Sequence, residues 1–333
     1  MPAQGRTVIR VAGVLAALRA VTCSDVAAAD ESGLSFWLQG QFGSFAAVPN
    51  EPGWSFDHSY YHATVGATGG ATIPRGGRVH SGLRSPSDYF MFTPTYAFAT
   101  PVLGGQASVG MTVTYGRNTG SALESFDRPG GRRLSEGRSD LMVGFGDLTP
   151  FAQLKWNSGV NNFMVYATAG VPVGAYDPNL LSSVGMGHWA ADAGGGYTYF
   201  NEQVGFEASA VVGFTYNFIN PYTQYQSGVD AHLDWALSPY VSDKLHVGMV
   251  GYVFRQVTGD SGAGARLGEF KSRVVGIGPQ IGFFFPFGDQ QGYLNFKAFQ
   301  EYNAHNRLDG WVGYVTFSIQ PPDAKPATTA AKQ

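Results

Sequence analysis

Eight ionisable residues in the 333-residue chain, Asp147, Lys155, Glu207, Asp230, His232, Asp234, Lys297 and Glu301, fall within stretches of alternating apolar and polar residues. Carboxylates and lysines spaced in this way have two uses inside a closed sheet. They can pair across the interior and brace it, or they can line a passage and set its selectivity, as charged rings do in channels. Spacing alone serves both uses. Other chemistry is poorly supported. His58 and His62 would share a strand face about 13 Å apart at roughly 3.3 Å per residue, too far to hold one metal ion together. Asp140 and Asp147 differ by an odd offset, which puts them on opposite faces of a straight strand. The glycine run Gly194 to Gly196 precedes no helix start and so offers no phosphate cradle. No metal site and no cofactor is expected.

The elements that must position these groups read as long strands. From Phe206 to Phe218 the even positions are Phe, Ala, Ala, Val, Phe, Tyr and Phe, while the odd ones run Glu207, Ser209, Val211, Gly213, Thr215, Asn217. From Val229 to Ser238 the pattern repeats in the other phase, with Asp230, His232 and Asp234 opposite Val229, Ala231, Leu233 and Trp235. Twelve such spans are expected: 54–67, 87–100, 106–117, 139–156, 162–177, 188–200, 205–218, 228–241, 245–256, 270–286, 292–302 and 311–319. Most are longer than the five or six residues usual in soluble proteins and match tilted membrane-spanning strands of about 9–11 residues with overhang. Connections after the even-numbered strands are tight and those after the odd-numbered ones mostly long. This parity predicts an all-β fold: a transmembrane antiparallel β-barrel of about twelve strands in a bacterial outer membrane, with both termini periplasmic. Closure leaves no strand edge unpaired in lipid. Trp54, Trp156, Trp189, Trp235 and Trp311 are expected near the membrane boundaries. Pro94, Pro150, Pro172 and Pro279 fall within spans, where each would kink a strand or mark a bulge.

Composition agrees. Charged residues make up 14% of the chain, against roughly 25% in ordinary soluble domains, and 46 glycines accompany 47 aromatic residues. The net charge of −3 is spread without a basic stripe, which disfavours nucleic acid as a partner. Arg6 and Arg10 precede an apolar stretch from Val11 to Val21, and Ala27, Ala28 and Ala29 supply a small-residue cleavage site, so residues 1–29 read as a secretory signal peptide. Its removal takes away Cys23, the one cysteine. The barrel is expected over 54–320, followed by a polar, Pro and Ala-rich disordered tail over 321–333.

The strings GLSFWLQGQFGSFAAVP from Gly33, GFGDLTPFAQLKWN from Gly144, VPVGAYDPN from Val171, HWAADAGGGYTYF from His188 and GVDAHLDWALS from Gly228 resemble the transporter-like barrel family linked to the meta-pathway of phenol degradation. The resemblance runs from about Gly33 to Ile319. It implies an outer-membrane barrel that admits small aromatic or other hydrophobic compounds. The alternatives are a narrow polar pore and a structural barrel without a specific substrate. Enzyme activity is not expected: the HxSNG string that sets a base beside an activated hydroxyl in outer-membrane phospholipase barrels is absent.

Residues 30–53 precede the first strand, and Phe36, Trp37, Phe42 and Phe45 stand there among glycines without strand periodicity. Such a segment either folds into the lumen as a plug or lies along the periplasmic interface. At the loop side, Arg266, Lys271 and Arg273 offer cations to lipopolysaccharide phosphates or to water. Outer-membrane lipids and small hydrophobic solutes are therefore the expected partners, and oligomeric state is left open.

Overall fold

A computed structural model describes residues 35–73, 77–127, 133–266 and 268–322. The expected signal peptide and the tail beyond residue 322 lie outside the described residues. Thirteen strands occur among them: β1 (Gly53–Ile73), β2 (Gly77–Ala97), β3 (Gln106–Asp127), β4 (Arg133–Phe145), β5 (Thr149–Ser158), β6 (Asn161–Gly170), β7 (Ala190–Asn201), β8 (Phe206–Asn217), β9 (Asp230–Ser242), β10 (Leu245–Gln256), β11 (Arg273–Phe287), β12 (Gln290–His305) and β13 (Asp309–Gln320). Each pairs antiparallel with its neighbours, and β1 pairs with both β2 and β13, so the sheet closes on itself. β4 and β5 share one place in the wall: β4 pairs with β3 from Tyr115 to Asp127, and β5 pairs with β3 from Gln106 to Thr112. The barrel therefore has twelve strand positions.

Five expected spans are corrected. The continuous strand over 139–156 is broken at residues 146–148, where the register against β3 shifts by one residue between the Gly146 N–H bond to Thr114 O and the pairing of Thr149 with Thr112, and Leu148 bridges Val171. Asp140 and Asp147 thus do not share a straight strand. The strand expected to reach residue 177 ends at Gly170, just before Pro172, which has no N–H for a ladder. The first two strands run past their expected ends at 67 and 87, into a hairpin whose register continues from Gly66 paired with Arg84 to Ile73 paired with Gly77, and the third, expected to end at 117, runs to Asp127 paired with Arg133. The tight turns stand where expected, at 98–105, 159–160, 202–205, 243–244 and 288–289.

Alternation sets what the wall shows to each side. On β8, Glu207, Ser209, Val211, Thr215 and Asn217 are buried, while Val212, Phe214 and Tyr216 are exposed. Trp54, Trp189 and Trp311 are likewise exposed on the outer face, as are Phe90, Phe145, Phe163 and Phe283. The packed core lies inside the ring. One cluster joins Tyr61, Tyr252, Phe254, Phe299 and Tyr314, and a second joins Trp37, Met164, Tyr166 and Val211.

Candidate functional site

Residues 35–50 lie inside the barrel, and the inward side chains of the wall hold them in order. Phe36 lies over Gly170, where an added Cβ would stand 2.9 Å from its ring. Trp37 is 1% exposed and stacks on His232 with ring centroids 3.6 Å apart. Further along, Gly40 N–H and Phe42 N–H donate to the two oxygens of Asp234, at 3.0 and 3.2 Å. Lys297 Nζ donates to the carbonyls of Gly40, Gln41 and Phe42 at 2.6, 3.2 and 3.4 Å. Ser44 Oγ stands 2.9 Å from Ser238 Oγ, and Phe45 N–H donates to Glu207 at 3.1 Å. Ala47 N–H donates to Thr198 at 3.1 Å, and Lys155 Nζ donates to Val48 O and Asn50 Oδ1, both at 3.1 Å. His232, Asp234 and Ser238 succeed one another along one face of β9, so the segment travels about 20 Å along the barrel at roughly 3.3 Å per residue.

This arrangement answers a need of the backbone. A non-periodic segment inside a barrel brings N–H and C=O groups without ladder partners, and each one left unpaired costs about 1–3 kcal/mol. Carboxylates supply acceptors and lysines supply donors. Gly40 makes the turn between them possible. Its φ of 77° lies in the left-handed region, and a Cβ there would stand 2.7 Å from the Phe299 ring.

The other expected lumen residues have their own partners. Asp230 accepts from Asn217 at 2.9 Å, and His232 Nε2 stands 2.9 Å from Asp192. Glu301 accepts from Tyr252 Oη at 2.9 Å and from Gly310 N–H at 3.1 Å. Asp147 sits at the break between β4 and β5 and holds the 171–189 connection, accepting from Gly174 N–H at 2.9 Å and Met186 N–H at 2.8 Å. That connection buries Ser182, Ser183 and Val184 and reaches Asn118, which donates to Ser183 O at 3.0 Å. The long-loop end is therefore covered by folded chain. Sequence reasoning passed over Asp192, Thr198, Arg307 and Gln39. Arg307 donates to Gln39 Oε1 at 2.7 Å and lies over the Phe254 ring.

On the outer face, Asp88 accepts from Tyr60 Oη at 2.5 Å and from Arg117 Nε at 2.7 Å, and stands 2.8 Å from His62 Nδ1. Phe90, Tyr115 and Val143 line a cavity of 390 Å³ beside it. Arg266, Lys271 and Arg273 are exposed at the long-loop end, and Arg273 stands between Arg255 and His305 in the strand register.

A closed antiparallel sheet with an aromatic, apolar exterior and a packed polar interior defines a transmembrane β-barrel of the Gram-negative outer membrane. Residues 130–317, more than half of the chain, match the family described as "Putative MetA-pathway of phenol degradation", and the chain belongs to that family. Its fold is similar to the crystal structure of an outer membrane channel from Pseudomonas putida F1, with a TM-score of 0.63 and 12% identity over 83% of this chain and 98% of that one. A Pseudomonas aeruginosa FadL homologue aligns with a TM-score of 0.39 and 9% identity, over 87% of this chain and 97% of that one. No curated protein matches the chain in sequence.

Proposed function

We propose that the protein is a channel for passive uptake of small hydrophobic or aromatic compounds, and that residues 35–50 are its plug. The short turns and both termini face the periplasm in this reading, and the long connections face outward. The carrying observation is the way the segment is seated. It is held by a few polar clamps, Asp234, Lys297, Glu207 and Lys155, and its largest apolar contacts, those of Trp37 and Phe45, are with rings of the wall, beside Met164 and Val211. A lumen whose filling contributes Trp37, Phe42 and Phe45 has ring-lined surfaces to offer when the filling moves. The name of the Pseudomonas putida relative, an outer membrane channel, supports the same reading. The lumenal charges then brace the seated plug and line the route once it is displaced. No residue is proposed for catalysis.

Arg266, Lys271 and Arg273 are proposed to meet lipopolysaccharide phosphates. Arg273 faces Arg255 across the ladder, and like charges directly opposite one another destabilise a sheet unless anions lie between them.

The test is uptake of toluene and hexane by cells with and without the protein, beside a variant lacking residues 33–53. Faster uptake by the wild type, altered by the deletion, supports the channel and its plug. Equal uptake of both solutes by all three strains overturns the reading and leaves a narrow polar pore or a structural barrel.

A further inference from the structure

The ring of Phe45 sits in a cage of five others. Phe200, His246, Phe284, Tyr240 and Tyr293 stand around it with centroids 5.3, 5.4, 5.8, 6.2 and 6.4 Å away, and every interplanar angle lies between 61° and 88°. Edge-to-face contacts of this kind set the positive rim of one ring against the negative face of another, which a saturated ring does not reproduce. The cage is internally braced. Phe284 and Tyr293 stack at 4.5 Å, and His246 Nε2 stands 2.9 Å from Tyr293 Oη. Its members come from the ends of β7, β9, β10, β11 and β12 that meet the short turns.

Two features separate Phe45 from an ordinary core residue. Its φ is 65°, a left-handed conformation that disfavours a side chain, so the backbone is bent to deliver this ring. Its N–H is fixed by Glu207 at 3.1 Å, while the ring itself touches the wall through other rings. The cage belongs to the barrel and the occupant to the segment threaded through it.

From this geometry we infer that the cage is the channel's solute-binding site, that its ligand is a compound with a single aromatic ring, and that Phe45 is an internal occupant which the solute replaces. The inference rests on the proposed channel and gives it a substrate class and a place. A solute entering the cage regains the edge-to-face contacts that Phe45 gives up, so displacement exchanges one set of ring contacts for another.

The test uses the full chain in lipid nanodiscs with 4-fluorobenzyl alcohol as probe, read by fluorine NMR, and cyclohexylmethanol as the saturated competitor. Removing the occupant raises the fraction of binding-competent cages, so Phe45→Ala is expected to bind the probe about tenfold more tightly than the wild type. Adding Tyr293→Ala to that variant is expected to reverse the gain. A second variant does not depend on how Phe45→Ala folds. Ser44 Oγ and Ser238 Oγ stand 2.9 Å apart, within small adjustments of a disulfide with an S–S bond of about 2.05 Å. In a Cys23→Ser background, the Ser44→Cys, Ser238→Cys pair is expected to exclude the probe when oxidised and admit it when reduced. Equal binding in the oxidised and reduced states, or cyclohexylmethanol displacing the probe at equal concentration, overturns the proposal. Uptake assayed beside binding keeps the two readings apart. Binding that follows the cage without any solute uptake removes the channel and leaves the cage, whereas uptake indifferent to these variants removes the cage and leaves the channel.

Discussion

The two sides of the barrel wall place their charges on opposite faces. On β5 and from β8 to β12 the ionisable side chains Lys155, Glu207, Asp234 and Lys297 point inward and hold the backbone of residues 40–50. On β1, β2 and β3 the inward positions from Ser55 to Asn118 are mainly Ser, Thr, Tyr and Gly with Asp57 among them, while Asp88, His62 and Arg117 form their cluster on the outside. The difference follows the threaded segment. Buried charge persists in a barrel where unpaired peptide groups give it something to bond, because an isolated ion in that setting would cost several kcal/mol. Loop 171–189 follows the same rule, its backbone bonding Asp147 at Gly174 and Met186, while on β2 and β3 neutral hydroxyls and the Asn118 amide meet it.

Four variants, one of them with a second substitution added, sharpen or break this contrast. The largest effect is expected for Trp37→Ala, which removes a fully buried indole stacked on His232 and should weaken seating of the segment by about 3–5 kcal/mol, read as faster proteolysis within residues 35–50. Lys297→Met leaves three carbonyls without their donor and Asp234 without its nearby cation. A loss of about 3 kcal/mol is expected, and Asp234→Asn in the same chain should recover part of it. Gly40→Ala should cost about 1–3 kcal/mol through its left-handed backbone and the approach of Phe299, measured by urea unfolding in detergent. Arg117→Gln, on the outer face with its side chain 63% exposed, should change stability by less than about 1 kcal/mol in the same assay. An Arg117 variant as damaging as the Lys297 one would show that the outer cluster bears as much of the structure as the clamps.

The wall was legible in the sequence because a barrel strand faces two media and must alternate. β8 and β10 match their expected spans within a residue or so for that reason. The break at residues 146–148 was written only as a change of phase, the outward apolar residues being odd-numbered at Leu141, Val143 and Phe145 and the inward Lys155 odd-numbered beyond it, and at that shift Asp147 bonds the distant backbone of Gly174 and Met186. The far halves of β1 and β2 were hidden because Gly66 to Ala71 are nearly all small residues, which leave little contrast between faces. Phase alone placed Glu207, Asp234 and Lys297 on one side of their strands. Which groups meet there depends on register between strands and on where the segment runs, and neither is written in a local pattern. Asp192 was passed over amid alanines, although it stands beside His232 and accepts from Thr215 at 2.6 Å. The rings around Phe45 come from five strands, so no stretch of sequence assembles them.

The segment that carries Phe45 is continuous with β1, only seven residues lying between Phe45 and Gly53. A group tethered so closely is present at its site at an effective concentration on the order of millimolar, however dilute the protein. Any free ring that takes its place must compete with that standing local supply. On the proposed exchange, the tether would make the barrel responsive to abundance: scarce aromatics would leave the lumen filled, and exchange would begin as their concentration multiplied by their advantage over Phe45 approached that of the tethered ring.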